Sequence, residues 1–151
     1  MQLIKARDVL ALVDLSADQL REWTIRRALI PADMKPKGRG FPARYSWRTV
    51  LLLRVAVVLK EEFRVELQAH RDLFATIRGE LIGFSFPALW GLALALHAMR
   101  RCEVIDPQVP VAKDGNVLVV HLGPHLEVLS VGFGISEPMP QLPLFPALDI
   151  R

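Results

Sequence analysis

Three observations predict an α+β fold for this chain. Residues 6–78 space apolar side chains at helical intervals and carry helix-capping signals, interrupted by one Gly/Arg loop. Residues 109–131 change texture to runs of valine and leucine punctuated by glycine and proline, the pattern of strands and tight turns. Between them, an apolar stretch near residues 87–100 reads as one further helix. The expected organisation is a helical front unit with an inserted hairpin over residues 1–78, and a helix plus a small antiparallel β-meander over residues 79–137. A Pro-rich tail follows over residues 138–151.

At 151 residues the chain can bury a real core. Its net charge of +3 conceals an asymmetry, since residues 1–49 hold 10 Lys/Arg against 5 Asp/Glu and residues 102–151 hold 2 against 6. A basic front and an acidic back suit a nucleic-acid face joined to a module that does not share it. The single cysteine, Cys102, excludes an internal disulfide and a cysteine-rich zinc site, and fits a reducing compartment. The opening residues Met1-Gln2-Leu3-Ile4-Lys5 lack a signal-peptide pattern. The longest apolar run, Phe86–Met99, is too short for a bilayer and is interrupted by Gly91 and His97. A soluble, cytoplasmic, nucleoid-associated protein is expected.

The first helix is expected over Ala6–Leu12, with Val9, Leu10 and Val13 inward, and Asp14-Leu15 as the turn. Ser16 is a good N-cap, and Gln19 three positions later completes a capping box that opens the second helix. Leu20 and Trp23 share that helix's inner face, continued by Ala28 and Leu29, while Gln19, Arg21, Glu22, Arg26 and Arg27 lie opposite. Arginine forks onto a phosphate or onto guanine O6 and N7, so such a face suits a duplex. Pro31 ends the helix, and Pro36-Lys37-Gly38-Arg39-Gly40 makes a cationic turn in which glycine permits positive φ. Lys37 and Arg39 occupy its tip, with Arg44 and Tyr45 at its base, within reach of phosphates or a minor groove. Two short helices followed by a cationic hairpin make a winged helix-turn-helix, which places one helix in the major groove. Ser46 caps the next helix, whose inner face is Val50, Leu53 and Val57 with Leu52, and Trp47 reads as a core anchor.

In these residues the front unit resembles the winged-helix domain of MerR-type regulators and of the smaller excisionase-like proteins. The matching segments are Ala6-Arg7-Asp8-Val9, Ser16-x-x-Gln19-Leu20-Arg21-x-Trp23, Ala28-Leu29-Ile30-Pro31, and Gly38-x-Gly40 followed by Arg44-Tyr45-Ser46. The likeness covers about the first 75 residues. It implies that the second helix is the recognition helix, that Arg21 and Tyr45 sit near the DNA backbone, and that the protein works as a dimer on a pseudo-palindrome. The chain departs from the pattern in lacking a cysteine cluster for metal sensing. Its later half also resembles no known drug- or metal-binding module.

Glu62–Arg78 reads as a continuing amphipathic helix, with Phe63, Leu67, His70 or Leu73, and Phe74 or Ile77 on one side. Gly79–Ser85 reads as a break, and Pro87 as the first turn of a helix carrying Leu89, Leu92, Leu96 and Met99 as a short coiled-coil seam between protomers. Val109-Pro110-Val111, the turn Lys113-Asp114-Gly115-Asn116 and the run Val117–Leu122 predict a hairpin. Gly123-Pro124-His125 then turns into a third strand, Leu126–Val131. His121 and His125 lack a third ligand and read as structural, so no metal is expected. No nucleophile–base pair, phosphate loop or carboxylate pair stands out, and Cys102 has no base, so neither an enzyme nor a cofactor is expected. In the tail, Gln141-Leu142-Pro143-Leu144-Phe145 resembles the peptide with which bacterial replication and repair proteins dock on the sliding clamp. The alternative is that Leu144 and Phe145 latch the tail onto this protein's own sheet or a neighbour's. The reading that follows is a sequence-specific DNA-binding transcriptional regulator, a repressor or autoregulator, acting as a dimer. An excisionase-like architectural factor is the first alternative, and an adaptor docking on the sliding clamp is the second.

Overall fold

Ser16 opens a helix as its side chain predicts: its hydroxyl accepts from the Gln19 N–H at 3.1 Å, and Gln19 Oε1 accepts from the Ser16 N–H at 3.0 Å. The computed structural model describes residues 1–110 and 115–136, so the expected tail contacts of Gln141, Leu142, Leu144 and Phe145 lie outside the described residues. The elements in order are β1 (Ile4–Lys5), α1 (Ala6–Leu10), α2 (Ala17–Arg21) running into a π-helical turn Glu22–Arg26, β2 (Arg44–Tyr45) and α3 (Trp47–Glu61). A 3-10 turn Leu67–His70, α4 (Arg71–Ile82) and a 3-10 turn Pro87–Leu89 follow. The chain continues through β3 (Ala93–His97), β4 (Arg101–Ile105), β5 (Val117–His121) and α5 (Gly123–Phe133). This is an α+β fold.

The hairpin of the front unit forms. β1 pairs antiparallel with β2, Ile4 opposite Tyr45 and Lys5 opposite Arg44. Met34 bridges Arg44 from the other side, with the Met34 and Arg44 N–H groups each donating to the other's carbonyl at 3.2 and 3.0 Å. Between them the loop tightens through Lys37 N–H to the Phe41 carbonyl at 2.9 Å, with Gly38 and Gly40 at φ +77° and +86°. Those positive values are the reason for glycine here.

α3 is the axis of the molecule. Val50–Leu53, Val55, Ala56 and Leu59 are all buried, so it is enclosed on nearly every side, and Val57 is only partly covered. Its N-terminus is fixed by Ser46 and by Asp33, whose carboxylate accepts from the Ser46 N–H, the Ser46 hydroxyl and the Thr49 hydroxyl at 2.6, 2.8 and 2.7 Å. An anion at a helix N-terminus also gains from the helix dipole. Trp47 anchors the core as expected, edge-on to Phe86 with ring centroids 5.2 Å apart.

Beyond α3 several expectations fail. The helix expected over Glu62–Arg78 is interrupted: Arg64 takes φ +55°, Phe63 is 49 % exposed, and α4 starts only at Arg71. α4 then runs through Gly79 to Ile82, so the expected boundary near residue 78 falls inside a helix. The expected coiled-coil helix is instead a 3-10 turn and the strand β3, and no helical seam of Leu89, Leu92, Leu96 and Met99 exists. β3 is the centre of a sheet ordered β4-β3-β5, antiparallel to both neighbours, and every one of its residues is buried. A strand covered on both faces reads as an unbroken apolar run, which periodicity cannot separate from a buried helix. Of the hairpin expected around Asp114-Gly115, residues 111–114 lie outside the described residues, and the arm Val117–His121 is the edge strand β5, paired with β3. The tight turn joins β3 to β4 at Ala98-Met99, at φ +51° and +56°, without the glycine that normally signals it. The expected third strand Leu126–Val131 is the helix α5, with Pro124 in its first turn.

One buried apolar cluster runs from Ile4 to Phe133 and joins front and back halves. α5 approaches the α1–α2 turn so closely that a Cβ at Gly132 would stand 2.5 Å from both Leu12 methyls. Among the described residues no helix is long and apolar enough to cross a membrane.

Candidate nucleic-acid interface

α2 and the π turn present a ridge to solvent. Leu20, Trp23 and Thr24 face inward, and Arg21 and Arg26 are exposed. The π turn widens the helix by one residue, with the Arg27 N–H reaching back to the Glu22 carbonyl at 2.9 Å. This gathers Arg27 at 2.8 Å and Arg26 at 3.5 Å on the Glu22 carboxylate. Surface pairs of this kind contribute little stability, so the cluster chiefly sets where the guanidinium groups stand. Gln19 is committed to the N-cap through its Oε1.

The hairpin stands beside this ridge. Arg21 and Ile25 share a cleft of about 260 Å³ with Pro36, Pro42 and Ala43 at the hairpin base. The second helix and the hairpin therefore flank one recess. Lys35, Lys37 and Arg39 are exposed on the hairpin, and Arg44 is half-buried at its root. Glu22 and Arg27 border a different recess, with Trp23 and Lys60. Arg21 thus sits on the hairpin side of the ridge and Arg27 on the far side.

Tyr45 departs from expectation. It is 2 % exposed, and its hydroxyl lies 3.0 Å from Thr24 Oγ1. The Thr24 proton already goes to the Leu20 carbonyl at 2.8 Å, so Tyr45 is the donor. Burial pushes its phenol above the ordinary range, and the nearby Asp33 charge adds to that. Tyr45 ties hairpin to helix from inside and offers no group to a phosphate.

His125 is half-buried and Cys102 is buried. His125 Nδ1 accepts from Arg54 Nε at 3.0 Å, and burial followed by the Arg54 charge lowers its pKa to about 4. His121 is exposed. Among the described residues no group of three or more His, Cys, Asp or Glu gathers as a metal site. Cys102 is buried and its thiol is pushed up to about 12, mainly by burial and then by Glu80 and Glu103.

Three residues carry no local signal of what they hold: two brace the chain leaving the ridge and one the start of α3. Arg71 donates to the Arg27 and Ala28 carbonyls at 2.6 and 3.4 Å, and Arg78 to the Pro31 carbonyl at 3.0 Å. Asp33 secures the start of α3 from thirteen positions upstream of Ser46. All three act across long sequence separations, which no local pattern announces. No protein-family model matches the chain, and no curated protein matches it.

Proposed function

We propose that the front of the chain, from α1 through α3 with the hairpin between α2 and α3, forms a winged helix-turn-helix that binds double-stranded DNA, and that the chain is a sequence-specific transcriptional regulator. The observation that carries this reading is the shared recess. Arg21 on the second helix and the base of the cationic hairpin border the same cleft, so a helix and a basic loop can meet one duplex together. Arg21 and Arg26 supply forked donors for bases or phosphates, while Lys37 and Arg39, with Lys35, supply phosphate contacts from the hairpin. Arg44 stands at the hairpin root, where only its outer part is open to a phosphate. With no helical seam, protomers that pair on a two-fold operator need another surface, which sedimentation equilibrium tests.

The test is fluorescence anisotropy with labelled duplexes across a salt series. Binding is expected to weaken linearly in log–log form, and Arg39→Ala is expected to lower the slope by about one unit for all sequences alike. Absence of salt-dependent duplex binding ends the reading. Loss of preference at a single base would move Arg39 from phosphate positioning to base recognition.

A further inference from the structure

α4 faces the chain leaving the π turn, and the two do not close on each other. Arg71, Ala75, Arg78, Gly79 and Ile82 recur at helical spacing on one side of α4 and, with residues 28–31, border a cavity of about 440 Å³. Its floor is buried and apolar, with Leu52 and Phe74 at 0 % and 1 % exposure. Gly79 leaves the middle of the cleft open, since nothing lies within 4 Å of where its Cβ would stand. Glycine inside a helix weakens it relative to alanine, so helix formation does not explain this residue.

The charges at the two ends of the cleft are not equivalent. Arg78 lies 4.0 Å from the Asp33 carboxylate and donates to Thr49 and Pro31. Arg71 donates to two neutral carbonyls, and among the described residues no carboxylate pairs with it. A guanidinium has five N–H donors, so Arg71 keeps both charge and donors at the mouth of an apolar cavity. Asp72 shares that rim and opposes a doubly charged anion. The volume lies in the range of small-molecule sites, about 300–1,000 Å³, which pair apolar walls with a few fixed polar groups.

We propose that this cleft binds a small monocarboxylate with an apolar body, the carboxylate on Arg71 and the body over Ala75, Gly79 and Ile82. Occupancy reaches the second helix, because the same guanidinium holds the carbonyls of Arg27 and Ala28. Only that consequence rests on the DNA reading; ligand binding stands apart from it.

Methyl NMR on the full chain tests the site, with octanoate and phenylacetate as probes and octanamide and phenylacetamide as neutral counterparts. The acids are expected to shift the Ala75 and Ile82 methyls and to bind about tenfold more tightly than the amides, as a charge-assisted hydrogen bond gives. Arg71→Gln should bring the acids down to the level of the amides. Gly79→Leu should abolish the shifts without lowering the thermal midpoint, since leucine fills the cleft and suits a helix. Equal binding of acid and amide overturns the proposal, as do shifts that persist in Gly79→Leu or none at millimolar acid. Changes at Ala75 and Ile82 that depend on protein concentration alone would assign the cleft to a second copy, and also overturn it. Duplex anisotropy without ligand separates these outcomes from failure of the DNA reading.

Discussion

The arginines of the ridge and hairpin differ from those of α3 and α4 in what they touch. Arg21, Arg26 and Arg39 stand in solvent, and among the described residues Arg26 has only the Glu22 carboxylate beside it. Arg48, Arg54, Arg71 and Arg78 each reach a backbone carbonyl of another element. Arg48 donates to the Leu81 and Phe84 carbonyls at 3.1 and 2.6 Å, closing the end of α4. Arg54 donates to the Leu12 carbonyl and to His125. Helix ends and turns leave carbonyls without partners, and a planar fork of donors can serve two at once. Positive charge along the sequence therefore serves two purposes here, and only the partner tells which. The same residue type staples the fold in one region and stands in solvent in the other.

Arg48→Ala should have the largest effect, about 3 kcal/mol of unfolding free energy in urea titration. It strands two carbonyls and removes a guanidinium 4.4 Å over the Trp47 ring. A loss below about 1 kcal/mol would remove Arg48 from the staple group.

The Arg54–His125 contact gives a pH test. The folded-state pKa of His125, about 4, lies below its ordinary 6.5, so protonation favours the unfolded chain. Stability is full above pH 6.5 and falls as pH drops towards 4. The loss between pH 7 and pH 5 should be about 2 kcal/mol. His125→Gln should flatten that dependence, and an unchanged slope would place the titration elsewhere.

Substitutions on the solvent-exposed side have smaller effects. Ser16→Ala should cost about 1 kcal/mol by removing the cap of α2, measured by the urea midpoint. Arg26→Ala and Arg39→Ala should change stability by no more than about 0.5 kcal/mol. If either unfolds the protein, the ridge is part of the scaffold rather than a surface held ready.

Legibility in the sequence followed the range of the interactions. Ser16 with Gln19, Ser46 ahead of Trp47, and the Gly38–Gly40 loop each announce themselves within a few residues, and each forms as read. Of the candidate site, Arg21, Arg26, Lys37 and Arg39 are exposed as expected. Tyr45 reads as a surface residue because its partner, Thr24, lies twenty-one positions away. Ala93–His97 is ambiguous in the sequence because an apolar run carries no face, and only the flanking strands β4 and β5 decide between helix and strand. Leu126–Val131 mixes leucine and valine, and Pro124 fits a turn or a first helical turn equally well.

The sequence by itself determined the α+β composition, the capped helices of the front unit and the cationic hairpin, because capping, glycine conformation and charge are properties of neighbouring residues. Tertiary structure alone decided that residues 93–97 are a central strand, that residues 123–133 are a helix, and which arginines remain free. Those outcomes depend on what covers each segment. Burial of both faces and the pairing of distant carbonyls are set by the packed whole, where a local stretch has no preference strong enough to prevail.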